Sequence, residues 1–146
     1  MNTFTLNTDG GARGNPGPGA IGVVLRDAQN NIVKEEGKYL GVSTNNEAEY
    51  QAVIFALKKF KAVFGKAIAK VSETEIRSDS ELLVNQMNGK YKLENENIQK
   101  FFIEIWNLKI DFKEVKFKAI PREKNKEADR LVNEALDQQS ASKTLF

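Results

Sequence analysis

The chain reads as an α/β fold with a mixed sheet, and three features predict it. Strand-like runs at residues 4–8, 20–25 and 32–40 follow one another closely and suggest an antiparallel meander. From Thr44 onward, helical periodicity alternates with two further strand-like runs, at residues 74–78 and 115–119. Helices between strands permit parallel additions to the sheet, because a parallel pair needs a long crossover. The layout is three strands, then helix–strand–helix–helix–strand–helix.

The first strand-like run is followed at once by Thr8-Asp9-Gly10-Gly11-Ala12-Arg13-Gly14-Asn15-Pro16-Gly17-Pro18-Gly19-Ala20. This places an acid at a strand end beside a loop in which glycines allow close backbone approach and prolines limit floppiness. Taken alone it could equally be a hairpin loop with a solvated acid. Residues 20–25 are apolar enough for a buried strand, and residues 27–31 carry turn chemistry. The run at 32–40 is less apolar, as expected at a sheet edge.

A long helix should start at Thr44, which with Glu47 makes a capping-box pair, and end near Gly65. Ala52, Val53, Ala56, Leu57, Phe60 and Phe64 form its inward stripe. Glu49 lies three and four residues before Ala52 and Val53, on that stripe, whereas Glu47 aligns with Gln51, Ile54 and Lys58. A carboxylate on the buried side needs a partner or a metal. Glu49 is therefore the functional candidate, and Glu47 is explained as a cap.

Residues 74–78 end at Asp79, which, like Ser80, suits the N-cap of the next helix, so Asp79 reads as a cap, a ligand or both. Asn95 caps a helix with the stripe Ile98, Phe101, Phe102 and Ile105, a core stripe with Trp106 beside it. Val115, Phe117 and Ala119 alternate with Lys116 and Lys118 in a half-buried strand that Pro121 ends. Asn125 can cap a last helix, with Ala128, Leu131, Val132, Ala135 and Leu136 facing in. Asp129 lies at the margin of that stripe, and periodicity does not separate it from Glu127. One domain over residues 1–146 is expected, with a core of about 3–137 and a loosely held polar tail at 138–146.

The sequence contains neither cysteine nor histidine. Disulfides, thiolate zinc sites and Ser-His or Cys-His nucleophile pairs are excluded. Acid–base chemistry must use carboxylates, Lys, Tyr or metal-bound water. No run is apolar enough to span a membrane, and the N-terminus lacks a signal-peptide layout, so a cytoplasmic protein is expected. The net charge of +2 says little about nucleic acid. Lysines at 58, 59, 61, 66 and 70, and a basic stretch from Lys109 to Lys126, are either solvated surfaces or contacts for phosphates.

The stretch from Thr8 to Gly19 resembles the first motif of the type 1 ribonuclease H family. Thr44-Asn45-Asn46-Glu47-Ala48-Glu49-Tyr50, Ser78-Asp79-Ser80-Glu81 and Asn125-Lys126-Glu127-Ala128-Asp129-Arg130-Leu131 match the family's later motifs in order, so the resemblance runs from about residue 4 to 136. It implies a ribonuclease H-like fold, a five-stranded mixed sheet of order 3-2-1-4-5. It also implies that Asp9, Glu49, Asp79 and Asp129 converge as catalytic metal ligands. Four carboxylates packed closely repel one another, which cations relieve, and an all-oxygen set suits Mg²⁺, with Mn²⁺ as the alternative. Two such ions fit phosphodiester hydrolysis. The family hydrolyses the RNA strand of RNA–DNA hybrids and leaves 5′-phosphate and 3′-hydroxyl ends.

The resemblance further implies substrate contacts from Gly11, Arg13, Asn15, Asn46 and Glu49 in the minor groove, where the 2′-OH distinguishes RNA. Glu81 stands where relatives often carry Gln. Thr44, and Asn95 more weakly, match a DNA-phosphate contact, although both also suit caps. A loop histidine common in relatives is missing, and Arg122 or Glu123 is the candidate to substitute. No basic protrusion fits between Gly89 and Asn95, which leaves Lys90, Lys92 and the Lys-rich last strand to supply grip. A monomer is expected. Another nuclease or strand-transfer enzyme on this scaffold, or a non-catalytic hybrid-binding module, are the competing readings. The Asn-Pro-Gly-Pro-Gly loop with Asn46 argues against the first, and the complete carboxylate set against the second.

Overall fold

The structure is a computed structural model that describes residues 2–144. Its five strands are β1 (Thr3–Ala12), β2 (Gly17–Arg26), β3 (Ile32–Ser43), β4 (Glu73–Ser78) and β5 (Glu114–Ala119). Its helices are α1 (Asn45–Phe64), α2 (Lys66–Lys70), α3 (Glu81–Met87), α4 (Glu96–Lys109) and α5 (Lys126–Thr144), with a 3-10 turn at Arg122–Lys124. The strands form one sheet of order β3-β2-β1-β4-β5. β1, β2 and β3 pair antiparallel, while β4 and β5 add in parallel, so the sheet is mixed with the less apolar β3 at one edge, as expected.

β1 is longer than the apolar run suggested. Its parallel pairing with β4 stops at Asn7, but its antiparallel pairing with β2 continues to Ala12 opposite Gly19. Asp9 therefore sits inside an extended strand, just past the end of the parallel segment, and not at a strand end. The glycines permit this. A Cβ on Gly10 would lie 2.3 Å from the Ala48 carbonyl carbon, so α1 crosses directly over a strand that has no side chain there. On the opposite face, a Cβ on Gly22 would lie 2.2 Å from Ala128 O, and one on Gly37 2.6 Å from Leu131 O. Those glycines let α5 press onto β2 and β3.

α1 begins with the expected reciprocal cap, Thr44 Oγ1 accepting from Glu47 N and Glu47 Oε1 accepting from Thr44 N. It ends at Gly65, whose φ of 87° suits a residue without Cβ. Its buried stripe packs with Leu6, Ile21, Val23, Leu25, Ile76 and Leu83 in the main core. Phe4, Phe60 and Phe64 meet with ring centroids 4.6–4.8 Å apart at the end of that core. In α4 only Ile98 and Ile105 are buried; Phe101 and Phe102 are half-buried against the core, and Trp106 is 56% exposed, its ring stacked on Phe102. The expected core stripe thus holds for half of its residues.

The expected polar tail is helical where it is described. α5 runs on through residues 138–144 without a break. Leu136, buried with Ala20 and Val132, and Asp137, paired with Arg13 at 2.7 Å, anchor the helix just before this stretch. Residues 145–146 of the expected tail lie outside the described residues. Among the described residues, no helix is long and apolar enough to cross a membrane.

Candidate active site

Asp9, Glu49 and Asp79 come together from three elements, with a carboxylate oxygen of each lying within 4.8 Å of the others. Asp9 extends from β1, Glu49 from the first turns of α1, and Asp79 from the turn after β4. Glu49 is buried as the spacing predicted, and its Oε1 accepts from Gly10 N at 2.7 Å. Glu47 points elsewhere: its second oxygen accepts from Asn97 Nδ2 at 2.8 Å, and its backbone bond from Thr44 keeps its pKa low. Asp79 is not the N-cap of α3, because Ser80 Oγ accepts from Leu83 N. Asp129 is exposed on the first turn of α5 and faces Asp9 across the mouth of the cluster.

The cluster is electrostatically unfavourable by itself. Burial first, then Asp79 and Asp129, push the Asp9 carboxyl from 3.8 up to about 8. Burial, Asp9 and Asp79 raise Glu49 well above its usual range, and burial raises Asp79. Arg122 acts in the opposite direction on both Glu49 and Asp79. Its positive charge stands on the short 3-10 turn and lines a hollow with Asp79, Glu81, Ala119, Ile120 and Pro121. Of the two loop candidates, Arg122 is the one whose charge bears on the carboxylates. A buried all-carboxylate set that holds its protons to this degree without a cation fits a hard divalent ion with oxygen ligands. Asp9, Glu49 and Asp79 can hold one directly, and Asp129 stands beside Asp9 to complete the set.

Around this cluster the glycine-rich loop is clamped to the start of α1. Asn45 Oδ1 accepts from Ala12 N at 2.9 Å, and Asn45 N donates to Asn15 Oδ1 at 2.9 Å. Gly11 is partly open on β1, and Asn46 is half-buried on the first turn of α1. Arg13 is drawn toward α5 by Asp137. Thr44 and Asn95 both act as N-caps, Asn95 Oδ1 accepting from Asn97 N and Ile98 N. Glu81 is exposed on the first turn of α3 beside Asp79. Of these residues Glu81 lines the hollow beside Asp79, Asn15 is tied to the start of α1 and Arg13 to α5, while Asn95 is linked to α1 through Asn97 and Glu47.

Two expectations about lysines separate. Lys58, Lys59 and Lys61 pair with Glu104, Glu36 and Asp111, so three of the five lysines of the first cluster belong to surface ion pairs. Lys90 and Lys92 make no ion pair among the described residues, and Gln86 Nε2 ties their loop down by donating to Lys92 O at 3.2 Å. Gln86 is held in turn by the buried Tyr50 hydroxyl at 2.7 Å.

A family profile described as "Reverse transcriptase-like" matches residues 7–135. The structure overlays on that of LC11-RNase H1, isolated from compost and solved in complex with an RNA/DNA hybrid, with TM-score 0.89 and 45% identity over 93% of this chain and 98% of that one. The chain belongs to the ribonuclease H1 family. Ribonuclease HI of Halobacterium salinarum is 39% identical over 88% of this chain and 62% of its own length. The bifunctional protein Rv2228c of Mycobacterium tuberculosis is 36% identical over 90% of this chain. The chain spans only 35% of that mycobacterial protein. The sheet order implied by the four sequence motifs is that of this ribonuclease H1 fold.

The sequence reading missed several polar residues that build the site. Asn125, expected to cap α5, instead turns its amide to the sheet: Nδ2 donates to Thr8 O at 2.8 Å, and Oδ1 accepts from Asn7 Nδ2 at 3.1 Å. Asn7 was available as a signal, because a polar residue between Leu6 and Thr8 in an otherwise covered strand needs a partner.

Proposed function

We propose that this chain is an endoribonuclease that hydrolyses the RNA strand of RNA–DNA hybrids. The observation that carries the reading is the convergence of Asp9, Glu49 and Asp79, with Asp129 opposite, on the scaffold of a relative solved with an RNA/DNA hybrid. Asp9, Glu49, Asp79 and Asp129 are the catalytic residues and would hold two Mg²⁺ ions, with Mn²⁺ as a substitute. When bound, such ions activate water, stabilise the leaving oxygen and produce 5′-phosphate and 3′-hydroxyl ends.

The remaining roles belong to the chain itself. Asn45 fixes the loop so that Gly11 and the amide of Asn15 present hydrogen-bonding groups toward the minor groove, with Asn46 beside them. Each would meet a different 2′-OH, which is the group that separates RNA from DNA. Backbone groups near Arg13 and the Glu49 carboxylate would join them in the minor groove, Thr44 and Asn95 would contact a DNA-strand phosphate farther out, and Glu81 would accept a 2′-OH bond. Arg122 balances negative charge near Asp79 and Glu49 where relatives use a histidine. A single-domain, cytoplasmic monomer is part of the same proposal. The test compares cleavage of a hybrid, duplex RNA and duplex DNA in Mg²⁺. Cleavage of the hybrid with 5′-phosphate products, and none of duplex DNA, is expected. Binding without cleavage would mean a hybrid-binding module, and equal cleavage of duplex DNA another nuclease.

A further inference from the structure

Beneath the carboxylates runs a line of polar side chains that the proposed chemistry does not use. Asn7 shares a face of β1 with Thr5 and Asp9. Arg26 stands opposite Thr5 on β2, diagonal to Asn7. Arg26 Nη1 donates to Asn7 Oδ1 at 3.1 Å, Asn7 Nδ2 donates to Asn125 Oδ1 at 3.1 Å, and Asn125 Nδ2 donates to Thr8 O at 2.8 Å. The Asn125 side chain also lies near Asp79 and favours its charged form. The second arm of the Arg26 guanidinium pairs with Glu127. Asn7 and Asn125 are 6% and 1% exposed, so any mismatch among these groups would be costly.

The direction of the line is fixed at its far end. A guanidinium only donates, so Asn7 must turn its oxygen to Arg26 and its NH₂ to Asn125. Asn125 must then offer its oxygen to Asn7. Its NH₂ is left to donate to the Thr8 carbonyl, on the side where Asp79 lies. A reversed Asn125 would set its oxygen against two acceptors.

We infer that Arg26, Asn7 and Asn125 are positioning residues for the carboxylate cluster, with Arg26 fixing the polarity that makes Asn125 a donor to it. Asn125 stands among the three segments that carry Asp9, Asp79 and Asp129: it bonds the residue before Asp9, its side chain favours the charged form of Asp79, and it lies one helical turn before Asp129. The inference rests on the reading that these carboxylates hold divalent ions.

Asn7→Asp is the test variant. It keeps an acceptor for Arg26 but presents a second acceptor to Asn125, which must reverse. Arg26→Gln, whose amide can give or take, leaves Asn7 free to turn either way and serves as the second variant. Mn²⁺ binding is measured by calorimetry without nucleic acid, exchange of the Asn125 side-chain amide protons by NMR, and kcat and KM on a hybrid in Mg²⁺. Asn7→Asp should bind Mn²⁺ about tenfold more weakly, the scale seen when partners of metal ligands are removed, and Arg26→Gln should lose less. The charge added by Asn7→Asp would by itself attract a cation, so it cannot cause that loss. The kcat should fall with hybrid KM unchanged, and the Asn125 amide protons, slow to exchange in the wild type, should become fast. Unchanged Mn²⁺ affinity in folded variants overturns the inference, as do wild-type Asn125 amide protons that exchange like a solvent-exposed amide. Neither of these readouts uses nucleic acid. They stay decisive even if the wild-type protein fails to cleave a hybrid, the outcome that would overturn the functional reading instead.

Discussion

Asp9→Asn should stabilise the metal-free protein at neutral pH while abolishing cleavage. Asp9 is 7% exposed, and burial together with Asp79 and Asp129 moves its carboxyl from 3.8 to about 8. Between those two values the folded protein keeps a proton that the unfolded chain has released. Stability therefore falls as pH rises through the window from about 4 to about 8, and levels off above it. At about 1.4 kcal/mol per pH unit the whole shift is worth at most about 6 kcal/mol. Water at the cluster mouth, where Asp79 is half-buried and Asp129 exposed, screens part of the repulsion. An observable loss of about 2 kcal/mol at pH 8 is a reasonable share of that limit. For a chain of this size it corresponds to about 4–8 °C in Tm. Asparagine has nearly the same shape and no proton to lose. Thermal unfolding in a chelator, followed across this pH window, should show the wild-type Tm falling while that of Asp9→Asn falls less and ends higher. Mg²⁺ should restore the wild-type Tm at pH 8 and leave the variant's unchanged, and the variant should cleave hybrid at less than about a tenth of the wild-type rate, a loss above ~1.4 kcal/mol. Parallel pH slopes for the two proteins would refute the reasoning, because Asp9 would then not carry the strain.

Three further outcomes are expected. Replacing Lys90 and Lys92, which have no ion-pair partners among the described residues, should weaken hybrid binding and flatten the log K against log salt slope by about one unit per lost phosphate contact, as read by a salt titration. A duplex with one embedded ribonucleotide should be cut far more slowly than one with four, since each unmet 2′-OH contact costs about 1–3 kcal/mol; equal rates would contradict sensing at several points. Gly10→Ala would place a Cβ 2.3 Å from the Ala48 carbonyl and force α1 away from β1. It should lower stability by about 1–3 kcal/mol in denaturant titration and slow cleavage as well, because Glu49 hangs on Gly10 N.

Much of the fold was legible in the sequence because its signals are local. The capping pair Thr44 and Glu47, the stripe from Ala52 to Phe64 and the terminal Gly65 mark α1 with no need of tertiary information. The ends of β1 and α5 were not legible, for a physical reason. Gly10 and Gly11 look like loop residues until a neighbouring strand and helix are known to pass within contact of their backbone. Likewise the polar residues after Asp137 have no stripe that announces a helix, and they extend one already anchored at Leu136 and by the Arg13–Asp137 pair. Gly22 and Gly37, placed inside strands, were the readable sign that another backbone lies close.

Within the candidate site, Glu49 was readable because a helix has one inward face and Glu47 was already explained by its cap. Asp129 was not, since Glu127 has equal claim on helical spacing. The structure separates them through rotation of α5 about its own axis. Asn125 and Asp129 lie one turn apart on the same row of the helix, so a helix anchored by Asn125 to Thr8 O must aim Asp129 back at β1 and Asp9. Two residues away, Glu127 points roughly to the opposite side of that row and ends on Arg26. The Asn-x-x-x-Asp spacing is therefore a mechanical unit, an anchor followed one turn later by the group it aims. Its meaning depends on the partner of the anchor, a backbone carbonyl 117 positions away in sequence, which periodicity cannot register.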